Sequence, residues 1–145
     1  MSEKERREVV VRGRGSRLTQ EIEIDRHRLI ADEPQSVGGA DQGPNPYDLL
    51  LAALGSCKSM TATMYAQRKG WALEGVTVRL RHERVHAKDC ADCAERDVRL
   101  ERIDCELAFA GDLSSEQRGR LLEIANRCPV HRTLTSGIAI ESRLV

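Results

Sequence analysis

The chain reads as an α+β protein whose strands and helices are segregated along the sequence. Alternating apolar runs cluster before residue 33 and again between residues 76 and 110. Between them lies a stretch with helical rather than strand periodicity, GPNPYDLLLAALGSCKSMTATMYAQRKG, from Gly43 to Gly70. Two shorter helical segments follow, giving the order βββ-α-ββ-α-α-β.

The first strands are EVVVR, residues 8–12, and LTQEIEI, residues 18–24, joined by the Gly13–Gly15 turn. Leu18, Ile22 and Ile24 share one parity, as in a half-buried strand. HRLIAD, residues 27–32, completes an antiparallel meander. The next segment, EPQSVGGADQG, has no periodicity and reads as a Gly-rich loop leading into the long helix, well placed to shape a pocket mouth. Pro44 and Pro46 permit a helix start here but no earlier helix, because proline suits the first turn and disfavours helix just before it. Asp48 falls in the first turn, at the positive end of the helix dipole. Arg68 and Lys69 occupy the last turn, and Gly70 is the C-terminal cap. Leu50, Leu54, Cys57, Met60, Thr61 and Met64 recur at three- and four-residue steps and so share a face. Leu49 to Leu54 is apolar nearly all round, which calls for cover on more than one side.

After the helix, Val76, Val78 and Leu80 alternate with polar residues, and the strand continues through Arg81 to His86. Residues 87–97 read as a hairpin tip and Val98 to Ala110 as the returning strand. Its parity changes between Leu100 and Ile103, which suggests a bulge or a twist. Ser114 suits an N-cap and Gln117 a capping box for the second helix, whose stripe is Leu121, Leu122, Ile124 and Ala125. Cys128-Pro129 starts a short helix that Gly137 ends, and IAIESRLV reads as the last strand.

At 145 residues the chain is about one domain, taken as 1–145. Its 23 basic and 23 acidic residues balance, so no charge excess points to nucleic acid. Scarce aromatics argue against a base-stacking surface. No run reaches the ~18 apolar residues of a membrane span. The charged opening MSEKERREVV does not resemble a signal peptide. A cytoplasmic protein is expected, where the five cysteines suit catalysis, metal or plain burial better than structural disulfides.

Cys128 stands just before a proline at a helix start. Its sulfur meets the unpaired N–H groups and the positive dipole end, which favour thiolate. His131 and Arg132 follow closely and offer further positive charge. Cys57 sits mid-helix, out of reach of its own helix dipole. The two sulfurs form either a redox pair, one attacking and one resolving, or two small buried side chains; spacing alone favours the second. His86, Cys90 and Cys93 form an H-x3-C-x2-C tip with three zinc-type ligands, with His82, Asp89 or Asp92 as a fourth, but a single CxxC is half a signature. Cys105, between Ile103 and Leu107, reads as packing. No phosphate loop and no G-x-S-x-G elbow occurs.

GPNPYDLLLAALGSC with MTATMYAQRKGW, and then GDLSSEQRGRLLEIANRCPVHRTL, resemble the OsmC/Ohr family of osmotically inducible and organic hydroperoxide resistance proteins, and within it the OsmC-like branch. The resemblance runs in order along nearly the whole chain. It implies antiparallel sheets wrapped around long central helices in an intertwined homodimer. It also implies a thiol peroxidase in oxidative stress defence, needing no cofactor, with Cys57 as peroxidatic nucleophile and Cys128 resolving it. The implied partners are an organic hydroperoxide, apolar rather than hydrogen peroxide, and a lipoyl-type dithiol reductant; no nucleic acid and no membrane. Tyr47, Leu54, Met60 and Met64 would line the substrate site. Where the family's peroxidases follow Asn-Pro with a Glu that holds an activating Arg, this chain has Tyr47 and then Asp48. The matching cation is sought at Arg14 or Arg17. Two other readings keep the same residues: a non-catalytic dimer binding a small apolar ligand, and a zinc-bearing variant using His86, Cys90 and Cys93.

Overall fold

The computed structural model describes residues 7–86 and 99–145. Its chain divides into two compact units, Met1–Leu50 and Leu51–Val145.

In the first unit, β1 (Val9–Gly13), β2 (Gln20–Ile24) and β3 (His27–Ala31) form the expected antiparallel meander in the order β1-β2-β3. Val11 pairs with Ile22, which pairs with Leu29. Ile22 and Ala31 are buried, whereas Val9, Val11, Leu29 and Ile30 stay exposed. The loop after β3 carries a short 3-10 turn, Gln35–Val37, and is organised around one carboxylate. Asp32, almost fully buried, accepts from Glu33 N at 2.8 Å, Thr19 Oγ1 at 2.9 Å, Gln42 N at 3.2 Å and Ala40 N at 3.3 Å. Burial pushes its carboxyl pKa up, but these donors outweigh that and hold it below the usual value. The loop folds so tightly that a Cβ on Gly39 would lie 1.8 Å from the Glu33 carbonyl oxygen, and one on Gly43 2.2 Å from that of Ile30.

The long helix α1 spans Pro46–Lys69, beginning in the first unit and running into the second. Its start is a reciprocal cap. Asn45 Oδ1 accepts from Asp48 N at 2.8 Å and Asp48 Oδ2 from Asn45 N at 3.1 Å, with Pro46 at the first helical position. Its end is also as expected: Gly70 adopts φ 67° and the Trp71 N–H reaches back to the Ala66 carbonyl at 2.9 Å.

In the second unit, β4 (Leu73–His86) and β5 (Arg99–Gly111) form one long antiparallel hairpin. The bulge expected between Leu100 and Ile103 is not there. Pairing is continuous from Val85–Leu100 to His82–Ile103, and the register slips instead at Leu73/Gly75. The parity change along β5 therefore does not mark a register shift. Helix α2 (Ser115–Ala125) carries the full Ser114/Gln117 capping box. Helix α3 (Pro129–Ser136) follows. The core joins Ala62 and Ala66 of α1, Phe109 of β5, and Leu121 and Ala125 of α2. Small residues on α1 allow this closeness; a Cβ on Gly55 would lie 2.7 Å from Leu80 Cδ1 of β4.

Residues 138–145, read as a final strand, pair with no strand among the described residues, and Ile140, Leu144 and Val145 are exposed. Alternation supplies strand propensity, but a strand exists only where a neighbour completes its hydrogen bonds. Of the proposed zinc tip, Cys90 and Cys93 lie outside the described residues. Among the described residues no group of three or more His, Cys, Asp or Glu is arranged for a metal. No helix among them is long and apolar enough to cross a membrane.

Candidate redox site

Cys128 is the N-cap of α3. Its extended backbone (φ −62°, ψ 148°) turns the sulfur back over the first turn, where Sγ accepts the His131 N–H at 3.4 Å. Pro129, at N1, has no N–H of its own to satisfy. The side chain is fully buried. Cys57, half-buried on α1, lies near enough for its charge to act on that of Cys128. Both residues belong to the second unit.

Four influences act on the Cys128 thiol. Burial pushes its pKa up most strongly, and the His131 N–H pulls it down. Cys57 pushes it up, and the charge of Lys58 pulls it down. The net direction is up from the ordinary thiol value. Cys105 is also raised by burial, against the opposing charge of Lys58, with Asp104 adding to the rise.

Lys58, next to Cys57, is a feature that the pattern of the sequence did not single out. Its side chain is buried, 1% exposed. Nζ lies 3.0 Å from Asn126 Oδ1 and 2.8 Å from His131 Nδ1. An ammonium only donates, so His131 Nδ1 must accept and the imidazole is neutral with its proton on Nε2. Burial and then the Lys58 charge hold the His131 pKa below its usual value, in agreement. The expectation that His131 adds positive charge beside Cys128 is thus corrected; the buried cation is Lys58. Arg132 is exposed.

The buried stripe of α1 is Leu54, Gly55, Lys58, Ala62 and Ala66, not the Leu50–Met64 stripe read from apolar spacing. Cys57 stands at its edge, and Met60 and Met64 are 65% and 58% exposed. Of the other residues singled out, Leu54 is buried and Tyr47 is partly exposed. Asp48 is engaged in the α1 cap. Arg14 faces Glu21 at 3.7 Å from an exposed position, and Arg17 is exposed.

A family model described as OsmC-like protein matches residues 38–143. The chain belongs to the OsmC-like family. A search of curated proteins finds no match. Solved structures share the fold at low identity. An OsmC-like protein from Mycoplasma pneumoniae is 18% identical with a TM-score of 0.69, over 91% of this chain and 89% of that one. An organic hydroperoxide resistance protein from Elizabethkingia anophelis is 17% identical with a TM-score of 0.65, over 91% and 89%. An organic hydroperoxide resistance protein OsmC from Legionella pneumophila is 18% identical with a TM-score of 0.61, over 86% and 87%.

Proposed function

We propose that the protein is a thiol-dependent peroxidase that reduces organic hydroperoxides, acting as a homodimer. The Cys57 thiolate attacks the distal peroxide oxygen. The O–O bond breaks, an alkoxide leaves and takes a proton to become the alcohol, and Cys57 is left as a sulfenic acid. Cys128 then forms a bond to the Cys57 sulfur, and the hydroxyl leaves as water. An external dithiol of the lipoyl type reduces the disulfide and completes the cycle. Leu54, Met60 and Met64, on the same helix as Cys57, supply the apolar contacts that favour an organic over an inorganic peroxide.

The observation that carries this reading is the thiol pair. Two cysteines remote in sequence come near enough for the charge of one to act on the other, Cys57 half-exposed on α1 and Cys128 sealed at the N-terminus of α3. That asymmetry suits an attacking thiol open to substrate and a resolving thiol shielded from it. The OsmC-like family, with neighbours named for organic hydroperoxide resistance, supports the same chemistry. The test is stopped-flow consumption of cumene hydroperoxide by the reduced protein. Rapid consumption that Cys57→Ser abolishes is expected; equal rates for the two proteins would remove the peroxidase assignment.

A further inference from the structure

Lys58 is a cation held where a cation is costly. It is 1% exposed, and both its hydrogen-bond partners, Asn126 Oδ1 and neutral His131 Nδ1, are uncharged. Among the described residues no carboxylate pairs with it. A buried charge without a counter-charge is among the least favourable arrangements in a protein interior. The group able to supply that counter-charge is the Cys128 thiol, on which the Lys58 charge acts. His131 ties the two together, its ring accepting from the Lys58 ammonium while its backbone N–H donates to Cys128 Sγ at 3.4 Å. An ammonium has three donors, and Asn126 and His131 take one each.

We propose that Lys58 is the positioning cation of the resolving thiol: held by Asn126 and His131, it stabilises Cys128 as the thiolate that attacks the Cys57 sulfenic acid. The proposal rests on the peroxidase reading above. In this step the Cys128 sulfur bonds to the Cys57 sulfur and the S–O bond breaks. The hydroxide released combines with the proton that Cys128 gave up, leaving as water. Cys57 is reduced and Cys128 oxidised to the shared disulfide. The ion pair also relieves the charge of Lys58, so cradle and thiolate stabilise one another. The titratable groups facing Cys128 are Cys57 and Lys58 from α1 and His131 from α3, and the Lys58 charge also reaches Cys105 on β5. His131 is neutral, so Lys58 is the one fixed positive charge of this set.

Single-turnover oxidation separates the two steps. Reduced protein receives one equivalent of cumene hydroperoxide, and dimedone then traps sulfenic acid still present. The yield of Cys57 adduct against Cys57–Cys128 disulfide is followed from about pH 6 to about pH 9, a range spanning the free-thiol pKa near 8.5. In Lys58→Met, formation of the sulfenic acid should stay within about threefold of wild type, while closure slows by more than about threefold near neutral pH, because losing the Lys58 charge lowers the fraction of Cys128 present as thiolate. Closure should recover as pH rises, and Lys58→Arg should restore it at neutral pH; a merely structural role for Lys58 would give neither. Asn126→Asp puts a carboxylate on the ammonium at an exposed position and tests the charge without opening the core; it should slow closure in the same direction. Closure at the wild-type rate across this pH range in Lys58→Met, or in Asn126→Asp should Lys58→Met not fold, overturns the proposal. Wild-type protein that forms neither adduct nor disulfide rejects the peroxidase reading itself, and this inference with it.

Discussion

At the scale of single residues, the site turns on what burial does to charge. Cys57 and Cys128 were legible in the sequence because their neighbours carry information: a proline after Cys128 marks a helix start, and the surrounding motifs resemble those of one family. Lys58 was not legible. A lysine beside a mid-helix cysteine reads as surface; four-residue spacing places it on the side of Ala62 and Ala66, but only the packing of α1 makes that side the buried one. The neutral state of His131 follows from that packing and has a measurable consequence. Its folded-state pKa lies below the ordinary value near 6.5, so the unfolded chain binds this proton more tightly. The contribution is fully present above about pH 6.5 and is lost as pH falls from there toward the folded-state pKa. Thermal denaturation should show the melting temperature dropping between pH 7.5 and pH 5.5. In His131→Asn, which keeps an acceptor for Lys58 and cannot titrate, the drop should be shallower; identical slopes would count against a buried neutral imidazole.

At the scale of elements, local rules worked wherever local chemistry decides. Asn45, Pro46 and Asp48 open α1, Gly70 closes it, and Ser114 with Gln117 opens α2, all by hydrogen bonds between near neighbours. They failed where a distant partner decides. The β4–β5 register slips at Leu73/Gly75 rather than in β5, and residues 138–145 alternate without a neighbouring strand among the described residues. The Gly-rich loop looked structureless because its order comes from one carboxylate. Asp32 gathers Thr19, Glu33, Ala40 and Gln42, and Gly39 fits because it has no side chain. Gly39→Ala would press a methyl into the Glu33 backbone carbonyl. A loss of about 1–3 kcal/mol is expected from such overpacking, read as a lower urea midpoint with faster amide exchange at residues 33–43. Unchanged exchange there would contradict the locked loop.

At the scale of the whole molecule, the apolar surface left uncovered is the main observation. Met60 and Met64 on α1, and Ile140 and Leu144 beyond α3, are more than half exposed, while the first half of α1 is apolar on most sides. The homodimer proposed for this chain gives those surfaces a partner. Light scattering should then report twice the mass of one chain, and Met60→Lys with Met64→Lys should shift the protein toward monomer; a wild-type monomer at micromolar concentration would exclude the dimer. The fold class was readable because strand and helix periodicities separate cleanly along the chain. The uncovered α1 face was only partly so, since spacing grouped Met60 and Met64 with residues that are buried. The claim beneath all of this is that Cys57 and Cys128 exchange electrons with one another. Peptide mapping after one equivalent of organic hydroperoxide measures that directly. A single Cys57–Cys128 disulfide, two hydrogens lighter than the reduced pair and reopened by dihydrolipoamide, is the predicted result; both cysteines recovered as free thiols, or oxidised without joining, would contradict it.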